Sequence, residues 1–149
     1  MMTSGYYGTS KDSHPHGGTP DHILEQLYVE FGELFDPCPN NPKFDGLNIS
    51  WADTVNNMYY GGAFVNPPYT RGVISQWVKK SHDEWLKGIN VIMLIPSYTD
   101  TTYFHEYIYN KAELRFIKGR LKFKGYDNKP ASFPSMLVIF RSNQGDDKL

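Results

Sequence analysis

A single cysteine, Cys38, stands in a chain of 149 residues, which excludes a disulfide framework and suits a reducing compartment. No apolar stretch approaches the roughly twenty residues of a membrane-spanning helix, and the first residues lack the apolar core of a signal peptide. Neither sign of charge dominates: 15 Lys and Arg against 16 Asp and Glu leave a net charge of −1, so any basic surface must be local. A glycine-rich phosphate loop is missing too. Neither G-x-G-x-x-G nor G-x-x-x-x-G-K-[ST] occurs, which weighs against NAD and nucleoside triphosphates and leaves open cofactors without a pyrophosphate. No metal site is expected either, because His14-Pro15-His16 has no third or fourth ligand at plausible spacing. These absences describe a cytoplasmic protein with no membrane partner.

What is present is a globule. A hydrophobic content of 40% with ample aromatics supports one folded domain. Residues 1–18 are rich in Gly, Ser, Tyr and His without periodicity and read as a flexible arm; 142–149 read as a polar tail. Residues 19–141 form the domain. Ile23, Leu24, Leu27, Tyr28 and Phe31 recur at helical spacing behind Thr19 as N-cap and Pro20 as first helical residue, and Gly32 ends that helix. Leu34-Phe35-Asp36 is a short strand cut off by Pro37. The polar stretch 37–61 is too cramped for two complete strand–helix units, so loops and a reduced sheet are expected there. Ala63–Val65 is a strand. Val73, Ile74, Trp77, Val78 and Trp85 mark an amphipathic helix stopped by Gly88, and Val91–Ile95 is a continuous apolar strand closed by Pro96. A short helix over 101–109 turns Tyr103, Phe104, Tyr107 and Ile108 inward. Strands are expected at 113–117, 120–124 and 135–140.

This order predicts an α/β three-layer domain whose reduced sheet is mainly parallel and finishes in a C-terminal antiparallel hairpin. Ligands of such sheets sit beyond the carboxyl ends of the strands. Asp36, Asn66 and Pro96 fall at those ends.

Asn66-Pro67-Pro68-Tyr69 is the most informative segment. Neither proline has an N–H to engage the turn's own carbonyls, so the Asn66 amide and the Pro67 carbonyl can together accept both hydrogens of an amino group. Tyr69 can stack on an attached ring. The geometry suits adenine, cytosine and glutamine amines alike. Asp36 at a strand tip can hold a ribose or a cationic sulfonium. Arg120, Lys122 and Lys124 alternate with Leu121 and Phe123, placing cations on one face where they could track phosphates. Arg71, just past the turn, joins them as a candidate DNA contact.

A strand followed by Asn66-Pro67-Pro68-Tyr69 resembles amino-directed methyltransferases that use S-adenosylmethionine. The wider pattern resembles one family, the small phage-type DNA N-6-adenine methyltransferases (Dam). The matching residues are Thr19-Pro20, Asp36-Pro37-Cys38, Asp45-Gly46-Leu47 with Trp51, and Phe64 to Tyr69. They continue through Ile95-Pro96, Thr99-Asp100-Thr101, Phe104-His105, Gly119 to Phe123, and Phe133-Pro134-Ser135-Met136. The resemblance implies a class I, Rossmann-like methyltransferase fold and methyl transfer to adenine N6 in DNA, in modification of phage DNA in a host cytoplasm. It implies catalytic roles for Asn66, Pro67, Pro68 and Tyr69. Thr19, Pro20, Asp36, Pro37, Cys38, Asp45, Leu47 and Asn66 would line the S-adenosylmethionine site. RNA adenine or protein glutamine methylation, or a catalytically idle DNA- or cofactor-binding protein, are the alternatives. The short chain leaves room for a homodimer.

Overall fold

A computed structural model describes residues 18–40 and 42–143. Most of the expected arm and tail, including His14-Pro15-His16, lies outside the described residues. Helix α1 spans Asp21–Phe31 and buries Ile23, Leu24 and Leu27. Pro20, not Thr19, is its cap residue, and no side chain caps it. The Thr19 hydroxyl is engaged elsewhere. Gly32 ends the helix, its N–H donating to the Tyr28 carbonyl.

Strand β1 is only Leu34–Phe35. The stretch expected to be loops contains a helix, α2, Trp51–Asn57, started by Ser50 Oγ accepting from the Asp53 N–H. Seven residues are too few to show a clear periodicity, so the polar surroundings masked it. Strand β2 is Gly62–Val65, helix α3 Ile74–Trp85, and β3 Val91–Pro96. The short helix expected over 101–109 is present, its Phe104–Ile108 part wound wide with an i to i+5 hydrogen bond. Strand β4 is Glu113–Phe116 and β5 Ser135–Phe140.

The sheet order is β1-β2-β3-β5-β4. β1 pairs parallel with β2 and β2 with β3, while β5 runs antiparallel to both β3 and β4. The sheet is therefore mixed, two parallel pairings and two antiparallel, rather than mainly parallel. Every residue of β2, β3 and β5 is buried, which is why each reads as an unbroken apolar run. Arg120–Lys124 is not a strand. It crosses the segment 117–134 that joins β4 to β5, with Leu121 and Phe123 buried and Arg120 and Lys122 exposed. Leu121 and Phe123 turn into the core while Arg120 and Lys122 stay outside, so the alternation is kept without a ladder.

Two glycines permit close chain crossings. A Cβ at Gly61 would stand 1.5 Å from the Phe31 carbonyl oxygen, and one at Gly46 would stand 1.9 Å from that of Pro37. Glu84, buried on α3, accepts from the Ala52 N–H at 2.9 Å and so supplies a negative charge to the start of α2. No helix among the described residues is long and apolar enough to cross a membrane.

Candidate active site

Because β1, β2 and β3 are mutually parallel, their carboxyl ends share one rim of the sheet. Asp36 follows β1, Asn66 follows β2 and Pro96 is the last residue of β3. β4 runs the same way as β3, so the segment 117–134 also leaves from this rim, and Ser135 is the ladder partner of Pro96. The cations of that segment thus stand at the rim as a loop.

The buried amide of Asn66, 2% exposed, has both ends engaged. Its Nδ2 donates to Thr19 Oγ1 at 3.0 Å, and its Oδ1 accepts from the Tyr69 hydroxyl at 2.8 Å. The Tyr69 hydroxyl also lies 2.9 Å from the Leu94 carbonyl oxygen. The Tyr69 ring, 4% exposed, meets Phe133 edge-on at 5.2 Å between centroids and Phe123 at 6.4 Å. Both phenylalanines belong to the β4–β5 segment. Thr19, Asn66 and Tyr69, 50 residues apart at the extremes (69 − 19), therefore form one buried cluster at the tip of β2.

On the β1 side, Asp36 Oδ1 accepts from the Cys38 N–H at 2.8 Å. Burial, and then the charge of Asp36, push the Cys38 thiol up to about 12, so it stays protonated and is no nucleophile. Burial and the same carboxylate also raise the Tyr28 phenol. Burial is the larger cause of both shifts, and the Asp36 carboxylate adds to it. The Gly46–Pro37 crossing sets the Asp45–Leu47 segment against Pro37, and Trp51 Nε1 donates to the Gly46 carbonyl at 2.7 Å. Asp45 itself is exposed and accepts from the Leu47 N–H, holding its own turn.

On the other side of the turn an open cleft of about 1060 Å³ is lined by Tyr69, Arg71, Lys79, Tyr98, Tyr103 and Ser132, among others. The sequence pointed to Tyr69 and Arg71 here, but not to Tyr98, Tyr103 or Ser132. Nothing in local spacing distinguishes those residues from packing residues. Burial holds the Tyr103 phenol above its usual range, so it remains a neutral hydrogen-bonding group.

The candidate DNA contacts divide. Arg71, Arg120 and Lys122 are exposed and in no ion pair among the described residues, whereas Lys124 pairs with Asp21. The Lys124 N–H also donates to the Gly18 carbonyl at 2.8 Å. Lys79, Lys80, Lys87 and Arg115 are all neutralised by Asp83, Glu84, Glu30 or Glu113.

No curated protein and no solved structure matches the chain. A family model does, over residues 9–148: DNA N-6-adenine-methyltransferase (Dam).

Proposed function

The chain belongs to the DNA N-6-adenine-methyltransferase (Dam) family, and we propose that it transfers a methyl group from S-adenosylmethionine to the N6 amine of adenine in DNA. The observation that carries this reading is the buried Asn66 amide at the tip of β2, held at both ends and followed by two prolines. Adenine N6 is a poor nucleophile because its lone pair is delocalised into the ring. Asn66 Oδ1 and the Pro67 carbonyl, accepting its two hydrogens, favour a pyramidal nitrogen with a localised lone pair. Both acceptors strengthen their hold as positive charge develops on that nitrogen.

When bound, S-adenosylmethionine supplies an electrophilic methyl on a sulfonium that leaves readily. The Asp36 carboxylate at the tip of β1 suits that cation, and Thr19, Pro20, Asp36, Pro37, Cys38, Asp45, Leu47 and Asn66 would hold it. Asn66 Oδ1 and the Pro67 carbonyl would hold the amine while its lone pair took the methyl, sulfur would keep the C–S bonding pair, and the surplus N6 proton would pass to water. Alignment of the amine is the protein's contribution, so no general base is needed beside it. Because N6 is enclosed in duplex stacking, the base is extruded or taken from a single strand, with the Tyr69 ring as its platform. Arg71, Arg120 and Lys122 would follow the flanking phosphates. Modification of phage DNA in a host cytoplasm is the setting we assign, and a homodimer would widen the DNA contact.

The test incubates the protein with methyl-labelled S-adenosylmethionine and unmethylated DNA, RNA or protein, beside Asn66→Ala. Label in DNA adenine that disappears in the variant is expected. Label in RNA or protein alone would sink the reading, and no label with retained cofactor binding would make the protein an idle binder.

A further inference from the structure

A buried asparagine amide can turn over with almost no change in shape, and only one of its ends accepts a hydrogen bond. The reading above needs the oxygen to meet the amine, so something must hold the NH2 end elsewhere. In this structure that partner is Thr19 Oγ1, 3.0 Å from Asn66 Nδ2. Thr19 is fully buried and lies just before the cap residue of α1, far from the turn in sequence.

Its position is itself braced. Lys124 bonds through its backbone N–H to the Gly18 carbonyl and through its ammonium to Asp21, so the β4–β5 segment grips the chain on either side of Thr19. Gly18 has φ +85 and a Cβ there would stand 2.9 Å from the Lys124 carbonyl oxygen, so the crossing is close.

We propose that Thr19 is a positioning residue. Its hydroxyl oxygen accepts from the Asn66 NH2 and thereby keeps the Asn66 carbonyl oxygen directed at the substrate amine. This rests on the methyl-transfer reading, and it assigns Thr19 a duty toward Asn66 in place of one toward the cofactor alone. A residue that only touched the cofactor would alter cofactor affinity. A residue that orients the amide alters turnover at saturating cofactor.

The experiment compares Thr19→Val, which keeps the shape and removes the acceptor, with Thr19→Ser, which keeps the acceptor. Thr19→Val is expected to lower kcat about 10- to 100-fold, the scale of a misaligned reacting group, a loss that saturating S-adenosylmethionine does not repair. Thr19→Ser is expected to restore most of the turnover. The Asn66 side-chain NH2 resonances, followed by 15N NMR, should shift in the Val variant and return toward the wild type in the Ser variant. Unchanged resonances, or a Val variant that loses only cofactor affinity, would overturn the assignment. Wild-type protein that methylates no DNA would instead remove the activity reading, and the NMR comparison would still decide whether Thr19 holds the amide. If Thr19→Val does not fold, a Thr19→Ser protein with wild-type resonances and kcat supports the assignment, and one with displaced resonances overturns it.

Discussion

The Tyr69 hydroxyl stands 2.8 Å from Asn66 Oδ1, so the acceptor that the proposed reading assigns to the substrate amine already carries one hydrogen bond. The same hydroxyl has the Leu94 carbonyl 2.9 Å away as a second acceptor. Its single proton can therefore move to Leu94 when an amine takes its place on Asn66, and no buried polar group is stranded by the exchange.

Tyr69→Phe keeps the ring and deletes this shared proton. It should cost about 0.5–1.5 kcal/mol of stability, read as a lower melting temperature, with the KM for DNA close to wild type. Tyr69→Ala also removes the platform and should weaken DNA substrate engagement by roughly 1–3 kcal/mol. Equal KM values for the two variants would show that the ring does not stack on a base.

Glu84 joins two helices and two lysines through a carboxylate whose side chain is 1% exposed. Burial alone would raise its pKa, yet hydrogen bonds from Lys80, Lys87 and the Ala52 N–H hold it below the ordinary carboxylate range. Glu84→Ala leaves these donors around a hole, and urea denaturation should register a loss of about 3 kcal/mol, the low end for a broken buried pair because Lys87 is half in solvent.

Gly46→Ala places a methyl 1.9 Å from the Pro37 carbonyl oxygen and 2.9 Å from the Trp77 ring. The chain must shift, which should destabilise the protein by about 1–3 kcal/mol. The displaced Asp45–Leu47 segment should also weaken S-adenosylmethionine binding in calorimetry. Wild-type affinity in a destabilised Gly46→Ala protein would separate this segment from the cofactor site.

Glu30 and Glu113 share Arg115 and Arg141 at the edge of the sheet. The hydrogen bond from Arg115, offset in part by burial and reinforced by Arg141, lowers Glu30 from 4.5 to about 2, and Arg141 and Arg115 lower Glu113. Carboxyls depressed in the folded state stabilise it above their unfolded pKa and stop doing so as pH falls through the folded one. Stability should therefore decline from about pH 4.5 toward pH 2. Solvent screening limits the effect to about 1 kcal/mol. Glu30→Gln should flatten the melting temperature between pH 6 and pH 3.

Arg120→Ala and Lys122→Ala should weaken DNA binding evenly across sequences and reduce the slope of log K against log salt by about one per lost phosphate contact. Turnover at saturating DNA should hold. Slopes identical to wild type would remove these two residues from the DNA surface.

Much of this architecture is written locally. The apolar runs of β3 and β5 announce buried strands, and the periodicity of α1 and α3 places both helices. Asn66 at a strand tip was equally legible, because prolines must end a ladder. Long-range relations were hidden. Thr19 looks like a helix cap because Thr before Pro usually is one, and only the fold brings Asn66 to its hydroxyl. Arg120–Lys124 carries the alternation of a strand, yet its backbone bonds go to Ala131 and Gly18 and build no ladder. Ion pairing of Lys124 and Arg115 depends on Asp21 and Glu30 from the far end of the chain, which no spacing rule reveals.

The segment 117–134 departs from Phe116 and returns to Met136, and those two residues are ladder partners. Its ends are thus fixed about 5 Å apart by the sheet itself. Lengthening such a closed excursion costs little entropy, so residues can be inserted or exchanged near its exposed cations without touching the registry of β3, β5 and β4. Under the proposed reading, target preference would diversify by grafting within this one excursion, while the Asn66 to Tyr69 turn stays as it is.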